Sequence, residues 1–321
     1  ISSDASFNSV TVGKGANSVA NNTVLGAGAL DAAVTGNNNL AVGKDALTSH
    51  TSGSNVTAVG AFALDANTTA SNNSAFGYGS LSSNTTGTQL TAVGVNALTS
   101  NTTGNYNIAT GHAALTSNTT GQFNCAFGRV ALTSNVNGNY NNAFGDSALE
   151  ANTGSNNSAF GYQALEANIS ADNNVAVGYK ALKSNTTGTQ NVAIGANALD
   201  ADTMSDSVAV GYNALTNSTN NHNTAVGSKA LEDSTSGSSN VAVGSLCLTD
   251  NTTGTSNTAV GFASLRYNTT SSSNTAVGSG AASNTTGSNN VAIGMQSLLA
   301  NTSGGDNTAV GSIALDANTT G

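Results

Sequence analysis

The chain has 321 residues, of which 7 are Lys or Arg and 16 are Asp or Glu, so charged side chains make up only 7% of it, against about 25% in an ordinary soluble domain. A net charge of −9 leaves no basic footprint, and nucleic acid is not an expected partner. No run approaches the ~20 apolar residues that cross a bilayer, so no membrane insertion is expected. The 38% hydrophobic content, combined with few charges, argues against disorder.

Residues 1–26 form an irregular opening, with glycines at Gly13 and Gly26 only 13 residues apart. From residue 27 a tripeptide of the Ala-Val-Gly type recurs to the end of the chain. Its closing glycines continue at Gly43, Gly60, Gly77, Gly94, Gly111, Gly128, Gly145, Gly161, Gly178, Gly195, Gly211, Gly227, Gly244, Gly261, Gly278, Gly294 and Gly311, 17 residues apart except for four steps of 16. Fixed self-similarity of this kind marks a solenoid or array, here of about 19 copies in a single repeat domain spanning 1–321. Each copy reads G-x-x-A-L-x-x-N-T-T-G-x-x-N-x-A-V, shown whole by Gly178, Ala181, Leu182, Asn185, Thr186, Thr187, Gly188, Asn191, Ala193, Ile194 and Gly195.

The unit is too short for two helices, and β-branched residues with Asn-Thr-Thr-Gly punctuation favour strand and turn. The predicted rung has a short strand at x-A-V, a glycine bend, a second short strand around A-L and a turn at N-T-T-G. The fold class is therefore all-β, a parallel β-solenoid or β-roll whose rungs stack at ~4.8 Å into a rod on the order of 90 Å long. Stacking makes every consensus position a column. The Asn four before each glycine (Asn107, Asn124, Asn141, Asn157, Asn174 and Asn191) is predicted to form an amide ladder between copies. The absence of Pro fits, because Pro lacks the N–H that a rung ladder uses.

Strand neighbours point to opposite faces, yet both conserved pairs within the repeat, Ala-Val and Ala-Leu, are apolar. Either Val and Leu fill the interior and alanine faces out, or alanine fills a narrow interior and a Val/Ile/Phe/Leu stripe runs outside. In both cases an apolar surface remains exposed and marks an interaction surface. Parallel association of identical chains, as a homotrimer, is the expected way to cover it.

The run from Asn191, Val192, Ala193, Ile194 and Gly195 to Ala198 and Leu199 resembles shaft repeats of phage tail fibres and related bacterial surface proteins. The shorter core at Asn290, Val291, Ala292, Ile293 and Gly294 is similar to the head repeat of trimeric autotransporter adhesins. That resemblance implies a left-handed parallel β-roll assembled as a trimer. The spacing here, 17 residues in most copies, is longer than in the adhesin heads. The chain opens at Ile1 without Met and closes at Gly321 within a turn motif, and reads as a segment or processed piece of something longer.

Several residues invite a chemical role. Glu150 and Glu166 each lie five after a repeat glycine, where stacking would bring two carboxylates to the ~5 Å separation of a retaining glycosidase. The same column also carries Thr133, Lys183 and Asp200, which reads as a solvated ladder, with Lys183 offsetting Glu166. His50, His112 and His222 occupy three different repeat positions and are not expected to converge on a metal. Cys125 and Cys247 lie many rungs apart, beyond the ~7 Å reach of a disulfide. Asn-Thr-Thr recurs at Asn67, Asn84, Asn101, Asn118, Asn185, Asn251, Asn268, Asn284 and Asn318. Each is formally a glycosylation acceptor, though Asn and Thr are also ordinary turn residues. Tyr78, Tyr162, Tyr179 and Tyr212 directly follow a repeat glycine and form a candidate glycan-contact column, or alternatively a packing column.

No catalytic residue, cofactor or metal is expected. The sequence reading is a structural fibre shaft, virion-borne or at the cell surface, that positions a receptor-binding tip and contacts cell-surface glycans. The rival is an ice-binding β-solenoid using threonine columns at the N-T-T turn. A polysaccharide-degrading enzyme ranks third, because the only Glu residues are Glu150, Glu166 and Glu232.

Overall fold

A computed structural model describes residues 4–200 and 204–320. Ile1 and Gly321, on which the sequence reading of the chain ends rests, lie outside the described residues. The chain divides into two compact units, residues 1–160 and 161–321, built on the same plan.

In the first unit, β1 (Ala5–Phe7), β2 (Val10–Gly13) and β3 (Thr23–Gly26) pair antiparallel in sequence. Parallel pairing starts at β3 and runs through β4 (Leu40–Val42) to β11 (Ser158–Phe160). The second unit repeats this from β12 (Val175–Val177) to β20 (Thr308–Val310). The solenoid expected from the sequence is therefore present. The copy closing at Gly13 lies outside the parallel ladder, as an antiparallel opening.

From β4 on, each parallel strand is three residues long with its middle alanine pointing inward: Ala58, Ala92, Ala176 and Ala193 are all buried. The residues on either side point out, as alternation requires. The predicted second strand around Ala-Leu is absent, and a run of turns replaces it. Its cause is visible at Lys180 and Leu182, whose φ angles are +55° and +50°, while Ala181 between them is not in that region. Once the backbone leaves the β region, strict alternation no longer holds, and consecutive residues Ala181 and Leu182 both reach the core. The interior is therefore Ala and Leu together, and the Val/Ile/Phe residue before each glycine is the one left outside. Neither simple assignment of the two pairs was complete.

Left-handed backbone at a leucine costs roughly 1–2 kcal/mol. It is offset by burying the side chain, worth about 2 kcal/mol, and by rung-to-rung bonds such as Leu182 N–H to the Ala198 carbonyl at 3.0 Å.

The register survives the short copies because they lose a turn residue only. In the rung closing at Gly294, Thr285 moves into the buried place that Asn holds elsewhere, and Asn284 is pushed out to solvent.

Candidate functional site

The interior carries two distinct asparagine systems. In the column four before the glycine, the predicted amide-to-amide bond forms at some steps, with Asn157 donating to Asn141 at 3.4 Å, Asn240 to Asn223 at 3.3 Å, Asn290 to Asn274 at 3.2 Å and Asn307 to Asn290 at 3.1 Å, but the shorter and more regular bonds go to backbone. Asn174 Oδ1 accepts the backbone N–H of Asn191 at 3.0 Å, and Asn174 Nδ2 donates to the Gly188 carbonyl at 2.8 Å. Asn107 does the same toward Asn124 and Gly121. Each amide thus satisfies backbone groups of the next rung, which the turn at that point leaves without a strand partner.

A more continuous side-chain-to-side-chain ladder is made by the Asn of the Asn-Thr-Thr turn. Asn84 donates to Asn67, Asn101 to Asn84, Asn118 to Asn101 and Asn135 to Asn118, all at 2.8–3.0 Å. Each Nδ2 also donates to the carbonyl three residues on, as Asn101 does to Gly104 and Asn67 to Ala70, both at 3.1 Å. These amides are fully buried. Seven of the nine formal glycosylation acceptors are therefore inaccessible in the folded chain. Asn284 is exposed and Asn318 half-buried.

His50 stands at the head of this ladder in the first unit. Its Nδ1 accepts from Asn67 Nδ2 at 2.8 Å, and its Nε2 lies 2.8 Å from the Gly53 carbonyl. An amide nitrogen only donates and a carbonyl only accepts, so the arrangement fixes the neutral ring with its proton on Nε2. Burial lowers its pKa below the usual 6.5, against a smaller opposing effect of the bonds to Gly53 and Asn67. The unfolded chain takes up a proton as pH falls through about 6.5 while the folded chain resists it. Stability is therefore intact above that pH and declines below it as pH falls toward the folded value. His50→Asn is expected to reduce the acid-side drop in melting temperature between pH 8 and pH 5. An unchanged drop would assign that sensitivity elsewhere.

In the second unit the ladder is interrupted. Asn185 donates to Asn168 and Asn268 to Asn251, but Ser218 and Ser234 occupy the same column with buried hydroxyls that have no partner among the described residues. Ser234→Asn would offer Oδ1 to Asn251 and Nδ2 to the Gly237 carbonyl, as neighbouring rungs do. A gain of about 1 kcal/mol is expected in denaturant titration.

The remaining candidates separate. Glu150 and Glu166 fall in different units; Glu166 lies 3.5 Å from Lys183 and accepts from Gln163 at 2.8 Å. His112 and His222 are exposed on turns. Cys125 faces outward in its strand and Cys247 takes a buried alanine place; both are free thiols. Burial raises both thiol pKa values, that of Cys247 to about 11, which leaves little reactive thiolate near neutrality. Among the described residues no three His, Cys, Asp or Glu gather as metal ligands, and no helix is long and apolar enough to cross a membrane. A cleft beside the antiparallel opening is lined by Asp4, Thr11, Asn17 and Asp31, and Asp4 accepts the N–H groups of Lys14 and Gly15 at 2.7 Å.

All four candidate tyrosines are exposed. Tyr162 and Tyr179 stack with centroids 5.6 Å apart, and the Lys180 ammonium lies 4.9 Å from the Tyr179 centroid. Tyr212 follows in the same column of the second unit, with Ala196 between it and Tyr179. Tyr78 belongs to the first unit, edge-on to Phe62.

Two further aromatic columns escaped the sequence reading, although their 16- or 17-residue spacing was there to find. Tyr106, Phe123 and Tyr140 stack at 4.7 and 5.0 Å, and Phe127, Phe144 and Phe160 at 4.8 and 4.9 Å. Rings stacked this closely cover much of each other's faces and turn their edges outward, which suits packing better than sugar stacking.

The most extensive feature is the outward side of the strands. In the second unit one column runs Val175, Val192, Val208, Thr224, Val241, Thr258, Thr275, Val291, Thr308, and the other is Val or Ile throughout, from Val177 to Val310. Among the described residues no charged side chain lies in a parallel strand of either unit. The chain matches no protein-family model and no curated protein.

Proposed function

We propose that the chain is a structural shaft: an extracellular or virion-borne fibre segment that self-associates and spaces a receptor-binding element from its base. The observation that carries this reading is the buried amide system, which ties rung to rung at up to two places per copy and, among the described residues, stands beside no converging set of reactive side chains. Stiffness follows from it, since bending the coil opens polar groups that water cannot reach. The homo-oligomer, three-fold in the proteins that the repeat resembles, covers the apolar strand face, and the exposed tyrosines supply glycan contacts on the flank. Imaging of the purified chain by negative stain is expected to show straight rods of uniform width. Compact or collapsed particles would overturn the shaft.

One observation favours the ice-binding alternative. Threonines such as Thr258 and Thr275 stand on the flat, uncharged strand face beside valines. The turn threonines are less available than the sequence suggests, because Thr85 and Thr102 hydroxyls donate to carbonyls of the next rung at 3.1 Å. Thermal hysteresis at micromolar protein would move the reading from shaft to ice.

A further inference from the structure

We propose that Tyr179 and Tyr212 wall a slot, floored by Ala196, that takes one pyranose ring with an aromatic face on each side of it. The proposal rests on the glycan contacts of the shaft above. It names the part of the tyrosine column that makes them and the class of sugar that fits.

The argument starts from the backbone. Asn197 N–H donates to the Tyr179 carbonyl at 2.9 Å, and Asn213 N–H donates to the Ala196 carbonyl at 3.1 Å. These bonds hold Tyr179, Ala196 and Tyr212 in three successive rungs of one column, all within the second unit. Tyr179 stacks on Tyr162 at an interplanar angle of 14°. One of its faces is thereby covered, and the other looks along the column toward Ala196. There the column carries only a half-buried methyl group, and the next ring is that of Tyr212, two rungs away. Two rungs at ~4.8 Å set the walls about 10 Å apart. An apolar contact of ~4.0–4.5 Å on each side of an inserted ring takes up about 8–9 Å of this, and the thickness of a sugar chair takes the rest.

The gap is specific to this place. In the column after the repeat glycine, no other small residue has an aromatic residue on both sides: Ala61 lies between Lys44 and Tyr78, and Phe262 lies between Ser245 and Ser279. The directly stacked columns, such as Phe127, Phe144 and Phe160, cover their own ring faces. The rim of the slot is polar. Asn197 follows Ala196, its amide donating to Asn213 Oδ1 at 3.2 Å, and the Lys180 ammonium lies 4.9 Å from the Tyr179 centroid. Lys180 moves on a flexible stem, so an entering sugar displaces it from the ring and meets it at the hydroxyl-bearing edge.

A two-sided slot selects by stereochemistry. A β-glucopyranose holds every substituent equatorial and presents C–H groups on both faces, so both walls can stack on it. The axial 4-hydroxyl of a galactopyranose would face an apolar wall without a partner, which is costly. The ligand class is therefore an all-equatorial pyranose, as in β-linked glucose, xylose or N-acetylglucosamine.

Saturation-transfer-difference NMR of the full chain with methyl β-D-glucopyranoside tests this. Transfer is expected to the axial protons of both ring faces at once. Methyl β-D-galactopyranoside is expected to bind about tenfold more weakly or worse. Ala196→Tyr fills the slot with a residue that the column already takes at Tyr162, Tyr179 and Tyr212. It is expected to keep the far-UV circular dichroism and to abolish the glucoside signal. Tyr212→Ala removes one wall and is expected to confine transfer to one ring face. Glucoside binding that survives Ala196→Tyr, or equal binding of the two glycosides, overturns the slot. If Tyr78→Ala then abolishes the surviving signal, the glycan reading stands at another site. No signal from either glycoside overturns the slot, while straight rods in negative stain keep the shaft.

Discussion

Gly178→Ala is expected to destabilise the second unit by more than about 4 kcal/mol, among the largest effects a single methyl group can have. Gly178 ends its strand at φ +140°, outside the range any L-residue adopts comfortably. A Cβ there would lie 2.5 Å from the carbonyl oxygen of Gly195 and 2.7 Å from its carbon. Both atoms belong to the backbone of the next rung, so no side chain can swing aside. The two rungs must separate, and with them go the bond from Gly195 N–H to the Val177 carbonyl at 2.8 Å and the parallel pairing of β12 with the strand at Val192–Ile194. In a quasi-one-dimensional stack, stability is a sum of neighbour interfaces, so a broken interface splits cooperative unfolding. Calorimetry should show a second, earlier transition. The control is Gly280→Ala. Gly280 has φ +65°, a region that Lys180 and Gln296 occupy at the same repeat position, and its added methyl would meet only the Gln296 side chain at 3.5 Å. A cost of about 1 kcal/mol is expected there. Equal losses at both positions would show that conformation alone, and not rung contact, sets the requirement for glycine.

That contrast also separates what the sequence could disclose from what it could not. The 17-residue period exposes the rung, and an alanine flanked by β-branched residues before an invariant bend identifies a strand with one narrow inward side. These signals depend on local chemistry and on repetition, both of which a sequence displays. The Ala-Leu pair looked like a second strand because two apolar neighbours fit no other regular pattern. The alternation of backbone handedness that points both inward at Ala181 and Leu182 has no signature in residues whose side chains normally avoid it. Burial of the turn asparagines was hidden for a different reason. Asn is common in exposed turns, and nothing in Asn-Thr-Thr-Gly says that its amide turns inward to meet the copy seventeen residues away. His50 is the exception that could have revealed it: a histidine in the Asn place of one rung fits a column that needs an acceptor nitrogen and a donor at fixed spacing. The outer face was half legible. Alternation required an apolar exterior, but that charges avoid this one face and fall on every other emerges only when strands and turns are separated residue by residue.

Asn101→Ala should show how much of the fold rests on the interior amides. Asn101 donates to Asn84 Oδ1 at 2.9 Å and to the Gly104 carbonyl at 3.1 Å, and it accepts from Asn118 Nδ2. Truncation leaves two acceptors and one donor without that partner in a core where every member of the ladder is fully buried. Each unsatisfied buried group costs about 1–3 kcal/mol. The donor, Asn118 Nδ2, retains its second bond to the Gly121 carbonyl, so the loss falls below the full sum. A destabilisation of about 3–5 kcal/mol is expected in denaturant titration. Thr103→Ala, on the exposed turn of the same rung, should change stability by no more than about 0.5 kcal/mol. The two substitutions lie two residues apart in an identical turn, so local propensity is nearly cancelled and the difference reports the ladder. Asn101→Asp is the sharper variant. It keeps the shape and the acceptor toward Asn118, but replaces the donor that faces Asn84 Oδ1 and the Gly104 carbonyl with an oxygen. If ionised it sets a buried negative charge against two acceptors, so its destabilisation should grow as pH rises above the carboxyl range. A flat pH profile for that variant, or a small effect of Asn101→Ala, would mean that packing of Ala and Leu alone holds the rungs together. The amide ladder would then be a consequence of the stack and not its cause.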